Sequence, residues 1–262
     1  MERIRDRFWI WGHEAGSHNG LWAIDTPSRM TPTEGALYMG LSRIVMVCFA
    51  GKPQPPFDRE ALAMDCMDEV IWSVVGDAGS KVEPGSLGHL DEIMRIAETH
   101  PNVKGVIFDD FFDHGGRPES FNPTVLRGMR ERLNARGLSM WVVMYTKNMD
   151  RPIKGHIDEF DGVTLWTMDR EEMLGSFDGY FGKASDMVAG KRLLLGCYMY
   201  NYGKKCQLSA KDMEFQIETY VRAIRAGKAE GIILLTNAIA DLGYEAVEYV
   251  RSWLREHGDE PV

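Results

Sequence analysis

Eight short β-rich runs, each closing on polar or aromatic residues and each followed by a helix-like stretch, constrain this chain more than any other feature. They cover residues 7–14, 43–50, 69–76, 103–112, 139–146, 160–168, 191–201 and 230–238. A β-then-α unit repeated eight times within one domain's length predicts an α/β fold of the (β/α)8 TIM-barrel type, with a single domain over 1–262. The 262 residues match the ~250 typical of one such barrel. Runs such as VIWSVV, WVVMY, RLLLG and GIILL are almost continuously apolar. Parallel strands buried on both faces need that pattern, whereas half-exposed antiparallel strands alternate.

The intervening stretches carry helix signals. In the seventh unit Ser209 is placed to cap a helix, with Asp212 in a box-like position, and Met213, Ile217, Tyr220, Val221 and Ile224 recur at helical spacing. In the fourth, Asn122-Pro123 opens a helix running to about Arg136, with Gly137 as its stop. The eighth, 244–256, sets Ala246, Val247, Val250 and Leu254 on one face; the fifth, 153–159, is short. Two long connections, 15–31 and the proline-rich GKPQPPF at 51–57, follow strands one and two. Loops after strands build the catalytic face of a barrel, so these two are expected walls of a substrate cleft.

A formal net charge of −9 argues against a polyanion-binding surface, so nucleic acid is not an expected partner. No apolar run approaches the ~20 residues that span a bilayer. The opening MERIRDRFWIWG has no apolar signal-peptide core, which gives the expectation of a cytoplasmic protein. None of the four cysteines, Cys48, Cys66, Cys197 and Cys206, forms a CxxC pair. Thiols in a reducing compartment are therefore expected, not a zinc site.

The C-terminal ends of the eight runs collect the chemistry. Strand one delivers Trp11, His13 and Glu14, with His18 in the loop; strand three delivers Asp77; strand four delivers Asp109, Asp110, Asp113 and His114. Strands five and six add Tyr145, Lys147, Trp166 and Asp169, and strands seven and eight add Tyr198, Tyr200, Asn201 and Asn237. The sharpest element is GVIFDDFFD. Adjacent carboxylates behind an apolar strand are costly to hold, because like charge and partial burial both resist ionisation. Strand alternation sends Asp109 and Asp110 to opposite faces, one into the barrel mouth and the other towards backbone amides or a neighbouring strand. The bland reading has both merely capping the strand end.

Carboxylates on separate strands among aromatic rings suit glycoside hydrolysis, in which one acid protonates the leaving oxygen and another attacks or activates water. Asp109 and Asp110 are the first candidates, with Asp169 or Glu14 as the second catalytic group. The remaining rim residues are candidate substrate contacts, and a small-molecule or oligosaccharide substrate is expected, without cofactor or metal. An alternative is a metal-dependent sugar isomerase or lyase using His13, Glu14 and Asp110; another is a sugar-binding barrel without turnover. HExxxH here is not the metalloprotease HExxH. Lys147 would form a Schiff base only if its amine were desolvated.

The blocks WGHEAGSHNG, SRMTPTEGA, GKPQPPFD, DDFFD and LLGCYMYNYG resemble those of an uncharacterised bacterial (β/α)8-barrel family that itself resembles glycoside hydrolases. The resemblance spans nearly the whole chain; it implies the fold and no particular reaction. Asp109 or Asp110 with Asp169 is also similar in position to the Asp pair of retaining α-glycosidases, after strands four and six, although the flanking residues differ. The chain has no Asn-Glu at strand four, and DDFFD lacks the terminal Glu of the chitinase pattern.

Overall fold

A computed structural model describes residues 2–76, 85–113, 116–168 and 170–262. A closed ring of eight parallel strands forms its centre. The strands are β1 (Phe8–Gly12), β2 (Arg43–Cys48), β3 (Glu69–Gly76), β4 (Val103–Phe108), β5 (Ser139–Tyr145), β6 (Gly162–Trp166), β7 (Arg192–Tyr198) and β8 (Gly231–Leu235). They pair in chain order, and β8 closes on β1 with Ile233 opposite Trp9 and Leu235 opposite Trp11. The fold is a (β/α)8 TIM barrel. Around it run α1 (Pro32–Met39), α2 (Asp58–Ala63), α3 (Leu90–Ala97), α4 (Pro123–Asn134), α5 (Lys154–Ile157), α6 (Arg170–Met187), α7 (Ala210–Arg225) and α8 (Glu245–His257). Among the described residues, no helix is long and apolar enough to cross a membrane.

Local signals act as the sequence suggests. Ser209 Oγ accepts from the Asp212 N–H at 3.2 Å, and the Asp212 carboxylate reaches back to the Ser209 N–H at 3.3 Å, closing a capping box on α7. The stripe Met213, Ile217, Tyr220, Val221 and Ile224 is buried. Several strands are shorter than the apolar runs imply. β4 stops at Phe108, and β7 stops at Tyr198 before Tyr200–Asn201 pairs antiparallel with Cys206–Gln207. The hydrophobic pattern continues past these points because residues beyond the strand ends pack into the outer core and stay buried. Phe111 and Phe112 do so after β4.

Alternate strand residues serve two cores. Those pointing outward, such as Phe108, Met140, Leu165 and Leu195, pack under the helices. Those pointing inward fill the ring: Trp9, Trp11, Val45, Val47, Ile71, Ile107, Trp141, Val143, Trp166, Leu194 and Ile233. A ring this rich in tryptophan closes only if neighbouring strands yield space. A Cβ on Gly162 would lie 2.3 Å from Trp141, on Gly196 1.9 Å from Trp166, and on Gly231 2.4 Å from Trp9. Each indole thus occupies volume that a side chain on the adjacent strand would need. The Trp141 and Trp166 N–H groups donate to Ser139 Oγ at 2.8 Å and Thr164 Oγ1 at 2.9 Å. Gly196→Ala is therefore expected to overpack the interior and destabilise the chain by about 1–3 kcal/mol. A lower denaturant midpoint with altered tryptophan emission checks this; an unchanged midpoint refutes the packing account.

Candidate active site

The C-terminal mouth of the barrel holds a cavity of about 170 Å³ lined by side chains from seven strand ends and the first loop. Trp11, His13 and His18 come from β1 and its loop, Asp109 and Asp110 follow β4, and Tyr145, Trp166 and Tyr198 end β5, β6 and β7. These eight candidates are brought together. Trp22, Phe49, Val143, Met168, Tyr202 and Leu235 complete the wall.

Asp109 and Asp110 both face this cavity, which corrects the expectation of opposite faces. Alternation holds only while the chain is extended. Here β4 has ended at Phe108, and Asp110 takes a positive φ of 43°. That left-handed conformation is uncommon outside glycine, and Asp tolerates it better than most residues. Asp109 is 7% exposed. Its backbone carbonyl accepts from Arg117 Nη1 at 2.7 Å, while Arg117 Nη2 bonds the Gly76 carbonyl at 2.7 Å. This buried guanidinium ties the ends of β3 and β4. Asp110 Oδ1 accepts from the Tyr145 hydroxyl at 2.7 Å. Burial first, then Tyr198 and the two aspartates, push the Tyr145 hydroxyl well above its ordinary range, so it remains a donor.

The opposite wall is a neutral, aromatic one. Trp11 Nε1 donates to His13 Nε2 at 3.2 Å, which leaves the proton on Nδ1, 3.3 Å from Thr236 Oγ1; that hydroxyl in turn donates to the Trp11 carbonyl at 2.5 Å. Asn237 clamps the His13 backbone, accepting from its N–H at 2.7 Å and donating to its carbonyl at 2.9 Å. Burial, and then neighbouring His18, push His13 well below the usual histidine range. His18 meets the rings of Trp22, Phe49 and Tyr202 at 4.9, 5.7 and 5.6 Å, and burial lowers it to about 4. Trp22 itself has φ 48°, and its carbonyl accepts from the Tyr200 hydroxyl at 2.8 Å.

Other candidates sit elsewhere. Glu14 is half-buried and off the cavity wall. Asp113 takes Lys147 Nζ at 2.7 Å and Asn148 Nδ2 at 2.7 Å, bracing the loop after β5. Lys147 is thus a solvent-exposed, paired amine, not the desolvated one a Schiff base requires. Asn237 is fully buried structure, and Tyr200 and Asn201 line a second, smaller cavity. Asp77, His114 and Asp169 lie outside the described residues. The expected wall 51–57 contributes nothing to the cavity: Phe57 instead stacks on Trp72 at 4.9 Å in the outer core, and Phe49 takes the place beside the mouth.

For a metal, the donors His13, Glu14 and Asp110 do not fit. Both His13 nitrogens are engaged within the protein, and Glu14 stands apart. Among the described residues no three His, Cys, Asp or Glu side chains are placed to hold an ion.

No family model matches the chain, and no curated protein matches it in sequence. Solved structures share its fold. The spore cortex-lytic enzyme SleL of Bacillus megaterium is 12% identical, with a TM-score of 0.58 over 98% of this chain and 75% of that one. A chitinase from Chromobacterium violaceum is 11% identical, with a TM-score of 0.58 over 94% and 98%. The tryptophan synthase A-subunit of Pyrococcus furiosus is 12% identical, with a TM-score of 0.51 over 98% of each chain. The likeness is one of fold, shared by proteins of different chemistry.

The neutral histidines have a measurable consequence. Above pH 6.5 His18 is uncharged whether folded or unfolded; below it, the unfolded chain takes up a proton that the folded site refuses until about pH 4. Stability should fall across that window by up to about 3 kcal/mol from this residue. Chemical denaturation of wild type and His18→Phe between pH 8 and 4 checks the point. The variant should lose correspondingly less on acidification, and parallel curves would refute it.

Proposed function

We propose that the chain is a carbohydrate-active enzyme that hydrolyses a glycosidic bond at the mouth of its barrel. The observation that carries this is the Asp109–Asp110 pair facing a cavity of about 170 Å³ whose other walls are aromatic rings. A cavity of ~150 Å³ accepts a six-membered ring such as benzene, so one sugar ring is a matching guest. Trp11 and Trp166 meet edge to face at 5.2 Å, as do Trp166 and Tyr198. They offer π-faces and edges for the apolar faces of a pyranose, and neutral His18 offers hydrogen bonds without charge. The fold is also that of SleL and of chitinases, which supports the reading by analogy only.

In this reading Asp110 is the reacting carboxylate. The Tyr145 hydroxyl bonds it and aims it, and Asp109, anchored beside the Arg117 bridge, orients its neighbour. Asp169, three residues beyond the end of β6 in sequence, is assigned the proton for the leaving oxygen. Hydrolysis then adds water across the C–O bond: the acid protonates the departing oxygen, and the carboxylate attacks the anomeric carbon or deprotonates the incoming water.

On a panel of chromogenic glycosides, Asp110→Asn should lower kcat by roughly 10²–10⁴-fold with unchanged thermal stability, and Asp169→Asn likewise. Tyr145→Phe should cost about tenfold, the worth of one hydrogen bond. Full activity in Asp109→Asn and Asp110→Asn alike sinks the assignment. Sugar binding without turnover on any glycoside would make the cavity a binding site instead.

A further inference from the structure

Half of the barrel rim is closed by a chain of ring-on-ring contacts that runs over the end of β1. From Phe49, after β2, it passes to His18 at 5.7 Å and to Trp22 at 5.8 Å, both in the loop after β1. Trp22 then meets Tyr202, in the hairpin after β7, edge to face at 5.2 Å, and the Tyr202 hydroxyl lies 3.3 Å from His18 Nδ1. All four side chains line the main cavity. Asn237 Nδ2, just past β8, donates to the Met30 carbonyl at 2.8 Å and fixes the far end of the same loop. The wall therefore stands over β7, β8, β1 and β2, across the ring from Asp109 and Asp110 at the end of β4.

Backbone conformation and hydrogen bonds hold this wall in place. Trp22 and Ala23 take positive φ values of 48° and 62° in succession, a conformation uncommon outside glycine that persists only where the surroundings fix it. The Tyr200 hydroxyl does so by donating to the Trp22 carbonyl at 2.8 Å. The Ile24 N–H donates to the Leu21 carbonyl at 2.8 Å, and the Ile24 side chain is fully buried. Between this wall and the carboxylates lies the cavity of about 170 Å³. That is room for one six-membered ring; two would need roughly twice the ~150 Å³ that takes a benzene.

We propose that the enzyme acts from the chain end: the cavity takes the single terminal sugar at the non-reducing end of a glycoside, and Trp22 with Tyr202 bars any further sugar. The inference rests on the reading of the cavity as a glycosidase site, and it adds where along a chain that site cuts. Cleavage requires the anomeric carbon to face the carboxylates. The opposite edge of the ring, where a chain would continue, is thereby turned into the aromatic wall. Those rings can meet the apolar face of one sugar, but packed on each other they leave no passage for a second. The anomeric C–O bond breaks, and the departing oxygen takes a proton and stays on the shortened chain. The anomeric carbon ends joined to the oxygen of water, so each turnover frees one monosaccharide.

Reducing-end-labelled cello-, malto-, xylo-, manno- and chito-oligosaccharides test this on the whole chain, each with its non-reducing end free or capped by a benzyl group. Free chains should shorten one residue at a time, with monosaccharide as the first product. Capping should slow cleavage at least about tenfold, since even one methylene that does not fit a pocket costs that much. Trp22→Ala opens the wall and should bring capped chains close to the rate of free ones, with disaccharide appearing early. Tyr202→Ala opens it from the other side, and thermal melts show that each variant is folded. Disaccharide as the first product of wild type, or equal rates on free and capped chains, overturns chain-end action alone. Discrimination that survives in both folded variants overturns the wall as its cause. No cleavage of any chain or chromogenic glycoside overturns the glycosidase reading and this inference with it.

Discussion

Closing eight parallel strands into a ring creates an interior that only side chains can fill, and the rest of the molecule depends on how that is done. Here the filling is tryptophan set against glycine. Trp141, Trp166 and Trp9 each lie where a Cβ on Gly162, Gly196 or Gly231 would stand. Close packing of this kind transmits small changes, because an interior at crystal-like density has nowhere to absorb an added methyl group. It also raises the floor of the mouth. Above Trp9 and Trp141, the rings of Trp11, Trp166, Tyr198 and Tyr145 line the cavity where a guest can touch them.

On that floor the charges are distributed unequally. Acidic groups face the cavity from the end of β4, held by a tyrosine hydroxyl that stays protonated and by a buried arginine that grips two strand ends. Across from them the two histidines stay neutral because burial opposes their charging. Under the proposed function, an uncharged polyol would meet hydrogen-bonding groups on both sides and carboxylates on one, an arrangement that suits acid–base chemistry.

The ring was legible in the sequence because it is encoded locally, strand by strand, in apolar runs such as WVVMY and GIILL and in the capping box at Ser209. So was the grouping of rim residues such as Asp109, Tyr145 and Trp166, since a barrel gathers strand ends whatever their distance along the chain. Trp22, Phe49 and Met168 were not legible. They reach the cavity through the course of loops, and no periodicity specifies that course. Glu14 lies off the wall for a related reason: it comes past the last residue of β1, where strand alternation no longer says which way a side chain points. Asp110 shows the same limit, since one left-handed residue was enough to set both aspartates on one wall.

The cavity wall joins parts of the chain that are made far apart in time. The Tyr200 hydroxyl grips the carbonyl of Trp22, and Tyr202 packs on His18, although β1 and β7 are not neighbours in the ring and β8 stands between them. Both contacts bridge the seam that β8 fills and so tie the first unit to the seventh across the closure of the ring. The aspartates of the fourth unit are held differently, by Tyr145 of the next unit and by Arg117 close behind them. The acidic wall of the mouth is thus built from neighbours in chain order, and its aromatic wall from contacts that bridge the closure of the ring.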